Sequence, residues 1–153
     1  MTGRRFAAAI AVAALALSAC GGDDDASGDD AGTAYAEEVA AIMSETVTPA
    51  GIAATDAITN VAQDETDVEG VLEELDSVAA DLHGAEGSLG ELEPPEAAAA
   101  TAEELGARIG VLADRLEDME AAELESDPQV AADNVRTDLD RIERRARQIA
   151  ASG

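Results

Sequence analysis

Apolar residues recur at alternating intervals of three and four positions over most of the chain. This is the spacing of one face of an α-helix. The most regular run comprises Val68, Val71, Leu75, Val78, Leu82, Ala85, Leu89 and Leu92. The next comprises Ala98, Ala102, Leu105, Ile109, Leu112, Leu116 and Met119, and a third Ala132, Val135, Leu139, Ile142, Ala146 and Ile149. The sequence therefore predicts an all-α protein.

Capping residues and prolines mark where these helices begin and end. Thr66 and Glu69 match a capping box. Pro95, the second of two adjacent prolines, fits the first position of a helix. Asp127-Pro128 is a stronger start signal, since an N-cap acceptor precedes the proline. These signals predict four helices, near residues 33–62, 66–92, 95–125 and 127–151.

Antiparallel pairing of the apolar faces predicts how the helices are arranged. Folding the chain back at the double proline gives the pairs Val71–Leu116, Leu75–Leu112 and Leu82–Leu105. The fourth helix pairs with the third in the same way, and places Arg115 opposite Asp138. We therefore expect an up-down-up-down bundle of four long helices.

The first helix carries the least regular pattern. Its apolar register slips by one residue past Pro49, and a proline inside a helix removes a hydrogen bond. The first helix is therefore either kinked or broken at Pro49. The second helix ends in Gly84, Gly87 and Gly90, which weaken it. These glycines indicate either an opening for a ligand or partner, or close packing between helices.

The N-terminus is built like a secretory signal. Two arginines lie within residues 1–5, and the 14 residues from Phe6 to Ala19 form a stretch too short to span a bilayer. The stretch ends in Leu17, Ser18 and Ala19, and Cys20, the only cysteine of the chain, follows directly. Residues 21–32 are only glycine, aspartate, serine and alanine. This composition predicts a flexible, solvated tether.

This N-terminus resembles the lipobox of bacterial lipoproteins. In that family the cysteine thiol receives a diacylglyceryl group, and the peptide is cut just before the cysteine. The resemblance implies a signal peptide over 1–19 and a lipid-anchored acidic tether over 20–32 that begins at Cys20. The helical spacing of the remaining residues predicts a bundle domain over 33–153. The resemblance also implies attachment to the outer face of the cytoplasmic membrane through the lipid.

Charge and composition exclude several functions. Beyond the leader, seven arginines stand against 34 acids, a net charge of −27, and the chain has no lysine. Such acidity disfavours nucleic acid, whose phosphates need basic contacts. Tyr35 is the only aromatic residue after the leader, which disfavours base stacking and aromatic cages.

The arginines are concentrated near the C-terminus. Residues 127–153 hold five arginines and five acids, whereas residues 34–126 hold two arginines and 24 acids. The last helix either presents a basic docking face or neutralises its acidic neighbours. We favour neutralisation.

The sequence contains no recognisable catalytic constellation. A bundle di-iron site needs paired Glu-x-x-His motifs, but His83 is the only histidine and residue 80 is alanine. Apart from its neighbour Asp81, His83 has no obvious second ligand, so the sequence predicts no metal and no cofactor. It predicts that the protein is not an enzyme.

The whole chain resembles the small, alanine-rich and mostly uncharacterised lipoproteins of actinobacteria. Besides the lipobox, the motif that carries this resemblance is Leu92-Glu93-Pro94-Pro95-Glu96, a double-proline turn between helices. We expect a lipid-anchored, non-enzymatic module for protein interaction or envelope structure. The alternative is a lipoprotein that binds a cation or a small ligand.

Overall fold

The structure is a computed structural model that describes residues 27–61 and 67–152. The described part is helical and contains no strand, which confirms the all-α bundle. Its elements are α1 (Ser27–Ile42), a π-helical turn (Met43–Val47), α2 (Thr48–Val61), α3 (Val68–Gly90), α4 (Ala99–Glu117), α5 (Ala121–Ser126) and α6 (Pro128–Ala150). The leader and the lipobox lie outside the described residues.

The long helices form a closed ring around one hydrophobic core. The run from α1 to α2 packs against α3 on one side and α6 on the other, while α4 lies between α3 and α6. Every long helix places side chains in the core, because each has an apolar stripe at helical spacing. The largest fully buried ones include Ile58, Leu75, Leu82, Leu105, Ile109, Leu112, Leu116, Leu124, Ile142 and Ile149.

The first helical run passes through Pro49 without a break. Pro49 lies in the first turn of α2, directly after the π-helical turn, where the Thr48 N–H donates to the carbonyl of Met43. A π turn takes in more residues than an α turn, which accounts for the one-residue slip in the apolar pattern. The buried residues Tyr35, Val39, Met43 and Val47 are spaced by four, a period that the wider turn keeps on one face.

Helix starts agree with the sequence at α6 and differ at α1, α3 and α4. The Asp127 side chain accepts from the N–H of Val130 at 3.3 Å and caps α6, as predicted. The cap of α3 is Asp67, which accepts from the N–H of Glu69 at 3.2 Å. The capping box was therefore placed one residue early, and its Thr66 lies outside the described residues. Helix α1 begins at Ser27, six positions before the predicted start at residue 33.

The predicted third helix was too long at both ends. Helix α4 begins at Ala99, because the Ala98 N–H donates to the carbonyl of Pro95 at 2.8 Å and closes a turn ahead of the helix. Helix α4 stops at Glu117, and the rest of the predicted helix is the short α5. This break lets α5 bury Leu124 in the core.

The pairing of α3 with α4 is displaced from the predicted register. The predicted pairs would place His83 opposite residue 104, but its imidazole lies beside Asp114 and Glu117. The Glu86 carboxylate likewise lies against Gly110. An apolar pattern with a seven-residue repeat fits equally well after a shift of one heptad, so the pattern alone could not choose the register. The residues between Gly90 and Ala99 let α4 start beyond the end of α3.

The pairing of α4 with α6 follows the predicted register. Arg115 forms the expected ion pair with Asp138. Glu104 and Arg145, further along the same two helices, are 2.8 Å apart. Asp127 caps the start of α6 at the predicted position, and α5 lies in the connection between the two helices.

The glycines of α3 are not explained by close packing. A Cβ built at Gly84, Gly87 or Gly90 would meet no neighbouring atom within 4 Å. Close approach occurs instead at Gly51, where a Cβ would come within 2.8 Å of the Leu139 side chain, and at Gly110. Of the two interpretations of the α3 glycines, helix contact is wrong.

Candidate metal centre

One histidine and two carboxylates converge on the flank where α3 meets α4. His83 comes from α3, and Asp114 and Glu117 come from α4. The Nε2 atom of His83 lies 3.6 Å from Oδ1 of Asp114 and 3.6 Å from Oε1 of Glu117. All three ligand atoms lie within 4.8 Å of one another. We call these three residues the His83 cluster.

Helix geometry explains why these side chains meet. Asp114 and Glu117 are three residues apart, so they project from one face of α4. Side chains on a helix tilt toward its N-terminus. In an antiparallel pair, His83 therefore leans toward the C-terminal part of α4, and the two carboxylates lean back toward His83.

Glu86 supports the other side of the imidazole. Its Oε2 lies 3.4 Å from Nδ1 of His83, one helical turn away on α3. The space for this carboxylate exists because residue 110 is glycine: a Cβ there would lie 2.7 Å from Oε1 of Glu86. With a proton on Nδ1 directed at Glu86, the lone pair of Nε2 faces Asp114 and Glu117. Metal-bound histidines are oriented by carboxylates in this way.

The spacing of the cluster suits a small divalent ion. Zinc ligands at about 2.0–2.2 Å in tetrahedral geometry are about 3.4 Å apart, close to the two 3.6 Å separations. These separations are too long for hydrogen bonds, so the Nε2 atom faces two carboxylates without bonding to either. One imidazole and two carboxylates are ligands for zinc, manganese or ferrous iron.

The cluster is open to solvent. The side chains of His83, Asp114 and Glu117 are 37%, 68% and 50% exposed. An ion can therefore reach the cluster directly and keep water in its remaining positions. A structural zinc site is closed by four protein ligands, so the three-ligand arrangement fits exchangeable binding.

The sequence analysis missed this cluster because two of its members lie on another helix. On its own helix His83 has only Asp81 as a near carboxylate, and the predicted register places it opposite residue 104. Moving the register by one heptad would have brought His83 opposite residue 111, one turn from Asp114. The residues of the cluster could therefore have been found from the sequence with the correct register of α3 on α4.

The second region of interest is the opening expected near the glycines of α3. The structure has a cavity of about 410 Å³ at the end of α3 and the start of α4, lined by Leu89, Gly90, Leu92 and Ala102 among others. Tyr35 of α1 also lines it, and burial raises the pKa of its phenol. The expected opening is thus located beside Gly90.

The lipobox residues Leu17, Ser18, Ala19 and Cys20 lie outside the described residues, so their role stays a prediction. Among the described helices, none has the length and apolar character to cross a membrane.

Comparison with known proteins yields no relative. The chain matches no protein-family model, and neither the curated proteins nor the solved structures give a significant match.

Proposed function

We propose that this chain is a lipid-anchored, extracytoplasmic bundle lipoprotein that binds a divalent transition-metal ion at the His83 cluster. The observation that carries the metal-binding part is the convergence of His83, Asp114 and Glu117 from two helices. The anchoring part is supported by the leader and by Leu17-Ser18-Ala19-Cys20. The proposed role is binding rather than catalysis.

The imidazole distinguishes this proposal from diffuse attraction of cations. A chain with net charge −25 attracts any cation through long-range electrostatics. Calcium and magnesium prefer oxygen ligands, whereas imidazole favours transition metals such as zinc. We therefore expect the cluster to prefer zinc over calcium, a preference that the acidic surface alone would not give.

Calorimetric titration tests metal binding. The full chain is purified without a polyhistidine tag and with Cys20→Ser, so that neither a tag nor the thiol supplies ligands. It is titrated with Zn²⁺, Mn²⁺, Ca²⁺ and Mg²⁺ at moderate salt. We expect one saturable Zn²⁺ per chain, with much weaker Ca²⁺ and Mg²⁺ binding, and a loss of saturable binding in His83→Ala.

Asp81→Asn is the matched control. It removes an exposed carboxylate two positions from His83 but outside the cluster, so Zn²⁺ binding should be unchanged. The metal-binding proposal would be rejected if the titration gave nothing but diffuse heats that vanish with salt. It would also be rejected if Zn²⁺ binding survived in His83→Ala.

Mass spectrometry of protein from the native host tests the anchor separately. We expect a mature chain that starts at Cys20 and carries a diacylglyceryl thioether. An unmodified Cys20 would contradict the anchor but would leave the metal site intact.

A second candidate function is contact with an envelope protein through the cavity beside Gly90. It is favoured by the apolar side chains that line this cavity, Tyr35, Leu89 and Leu92 among them. Leu92 is partly exposed, so Leu92→Glu should leave the fold intact and abolish saturable capture of a partner. Capture that is equal for wild type and Leu92→Glu would count against this candidate.

A further inference from the structure

Five arginines line the groove between α4 and α6. Arg108 and Arg115 come from α4, while Arg141, Arg144 and Arg145 come from α6. The groove comprises two adjoining clefts of about 260 and 200 Å³, which share Arg108 and Arg141 in their lining. We call these five residues and the two clefts the arginine groove.

The carboxylates in the arginine groove do not balance its guanidinium groups. Glu104 accepts from Arg108 at 2.6 Å and from Arg145 at 2.8 Å. Asp138 pairs with both Arg115 and Arg141. The groove thus holds two carboxylates, paired with four of its five arginines, which leaves a local surplus of three positive charges.

Arg144 is the arginine of the groove that pairs with no carboxylate among the described residues. Asp140 lies one turn before it on α6 but is not within ion-pair distance. The remaining arginines of α6 are paired outside the groove: Arg136 lies 3.3 Å from Asp133, and Arg147 lies 3.5 Å from Glu143. The surplus is therefore confined to the groove.

The chemistry of the groove selects an anion. A guanidinium group presents a planar fork of donors that matches the oxygens of phosphate, and it stays charged at all relevant pH values. Clefts of this volume suit a small ligand. Arg108, Arg144 and Arg145 approach one cleft from two helices, which fits the several terminal oxygens of a tetrahedral anion better than a flat carboxylate.

We infer that the arginine groove binds a small tetrahedral oxyanion, either phosphate or the phosphate group of a monoester. Arg144 is its principal contact, because this side chain gives up no ion pair on binding. Arg108 and Arg145 share one carboxylate, Glu104, and retain free donors for the ligand. The site is separate from the His83 cluster, since the two lie on opposite flanks of α4.

Titration of the full chain with inorganic phosphate, glycerol phosphate and succinate tests the inference. We expect saturable binding of one phosphate or phosphate monoester per chain, and at least about tenfold weaker binding in Arg144→Gln, as loss of a charged hydrogen bond implies. The tighter of the two phosphate ligands identifies the source. Succinate, a flat dianion, should bind more weakly.

Arg136→Gln is the matched control, because it removes an exposed arginine of the same helix outside the groove. Phosphate binding should be unchanged in this variant. The inference would be overturned by an equal loss of phosphate affinity in Arg136→Gln and Arg144→Gln. It would also be overturned if no saturable phosphate binding were found, or if succinate bound as tightly as phosphate. Circular dichroism of both variants shows that the fold is intact.

Discussion

Helix α4 carries opposite chemistry on its two flanks. Toward α3 it presents Asp114 and Glu117, which meet the single imidazole of His83. Toward α6 it presents Arg108 and Arg115, which share their carboxylate partners with arginines of α6. The first flank has two carboxylates and no arginine, whereas on the second the arginines outnumber the carboxylates Glu104 and Asp138. The strongly acidic net charge of the chain therefore says little about what either flank binds.

The two flanks also differ in the helix that α4 packs against. Helix α3 contains Gly84 and Gly87, which make no close approach, whereas α6 contains no glycine over residues 128–150. Glycine inside a helix loses more conformational freedom on folding than other residues. We expect the C-terminal half of α3 to open more readily than α6, which would place the His83 cluster on the more adaptable flank.

Removing both α4 carboxylates should produce the largest difference between the flanks. In Asp114→Asn/Glu117→Gln, we expect Zn²⁺ affinity to fall by more than about 100-fold, because loss of a single outer partner already costs roughly 10- to 100-fold. Phosphate binding at the arginine groove should be unchanged. Parallel titrations with both ligands measure this, and a matching loss of phosphate binding would show that the flanks are not independent.

A methyl group added at residue 110 should weaken Zn²⁺ binding at the His83 cluster without changing any of its three ligands. Gly110→Ala places a Cβ 2.7 Å from Oε1 of Glu86, so the Glu86 carboxylate must shift from its position beside His83. We expect about tenfold weaker Zn²⁺ binding, as for loss of an outer-shell carboxylate. Gly106→Ala is the control on the same helix, where a Cβ meets open space. Equal Zn²⁺ affinity in the two variants would exclude a role for Glu86.

Replacing Gly84 or Gly87 with alanine should reduce the difference in stability between α3 and α6. Gly84→Ala and Gly87→Ala should each stabilise the fold by up to about 1 kcal/mol, because alanine loses less conformational freedom in a helix. Gly51→Ala should destabilise it, since the new Cβ would meet Leu139 at 2.8 Å. Urea unfolding measures all three. Destabilisation by Gly84→Ala would mean that this glycine serves a contact.

Acid should weaken the contact between α4 and α6, because it protonates Glu104. We expect this effect to be smaller than those of the substitutions above. The hydrogen bond from Arg108 is the main cause that holds the pKa of this carboxyl below its ordinary value of 4.5, and Arg145 adds to it. The stabilisation is therefore complete above pH 4.5 and is lost as the pH falls through the lower pKa of the folded state. Urea midpoints of wild type and Glu104→Gln should differ at neutral pH and converge in acid; a constant difference would contradict the assignment.

The sequence predicted the helices better than their register. The apolar spacing of α3, α4 and α6 indicated the bundle, and Asp127 fixed the start of α6 because an N-cap followed by proline is a local signal. The register of α3 on α4 depends on the path of the chain between Gly90 and Ala99, which spacing does not encode. A seven-residue repeat cannot tell one heptad from the next.

The same ambiguity decided how much of each site could be predicted. Arg115 and Asp138 were paired correctly, because the register of α4 on α6 was correct. The His83 cluster was missed, because the predicted register of α3 on α4 placed His83 opposite residue 104 and away from Asp114. The last helix was expected to neutralise its acidic neighbours. Arg145 does so at Glu104 of α4, whereas Arg136 and Arg147 pair with acids of α6 itself. The surplus of positive charge in the arginine groove could not be predicted, because it depends on Arg108 of α4 lying beside Arg144 and Arg145 of α6.

The central claim is that His83 coordinates a metal ion through Nε2, and nitrogen NMR of its imidazole tests this most directly. His83 is the only histidine, so the full chain with Cys20→Ser gives the two nitrogen signals of a single imidazole. One equivalent of Zn²⁺ should shift the Nε2 resonance to a metal-bound position while Nδ1 keeps its proton toward Glu86. An imidazole spectrum that one equivalent of Zn²⁺ leaves unchanged would contradict the account.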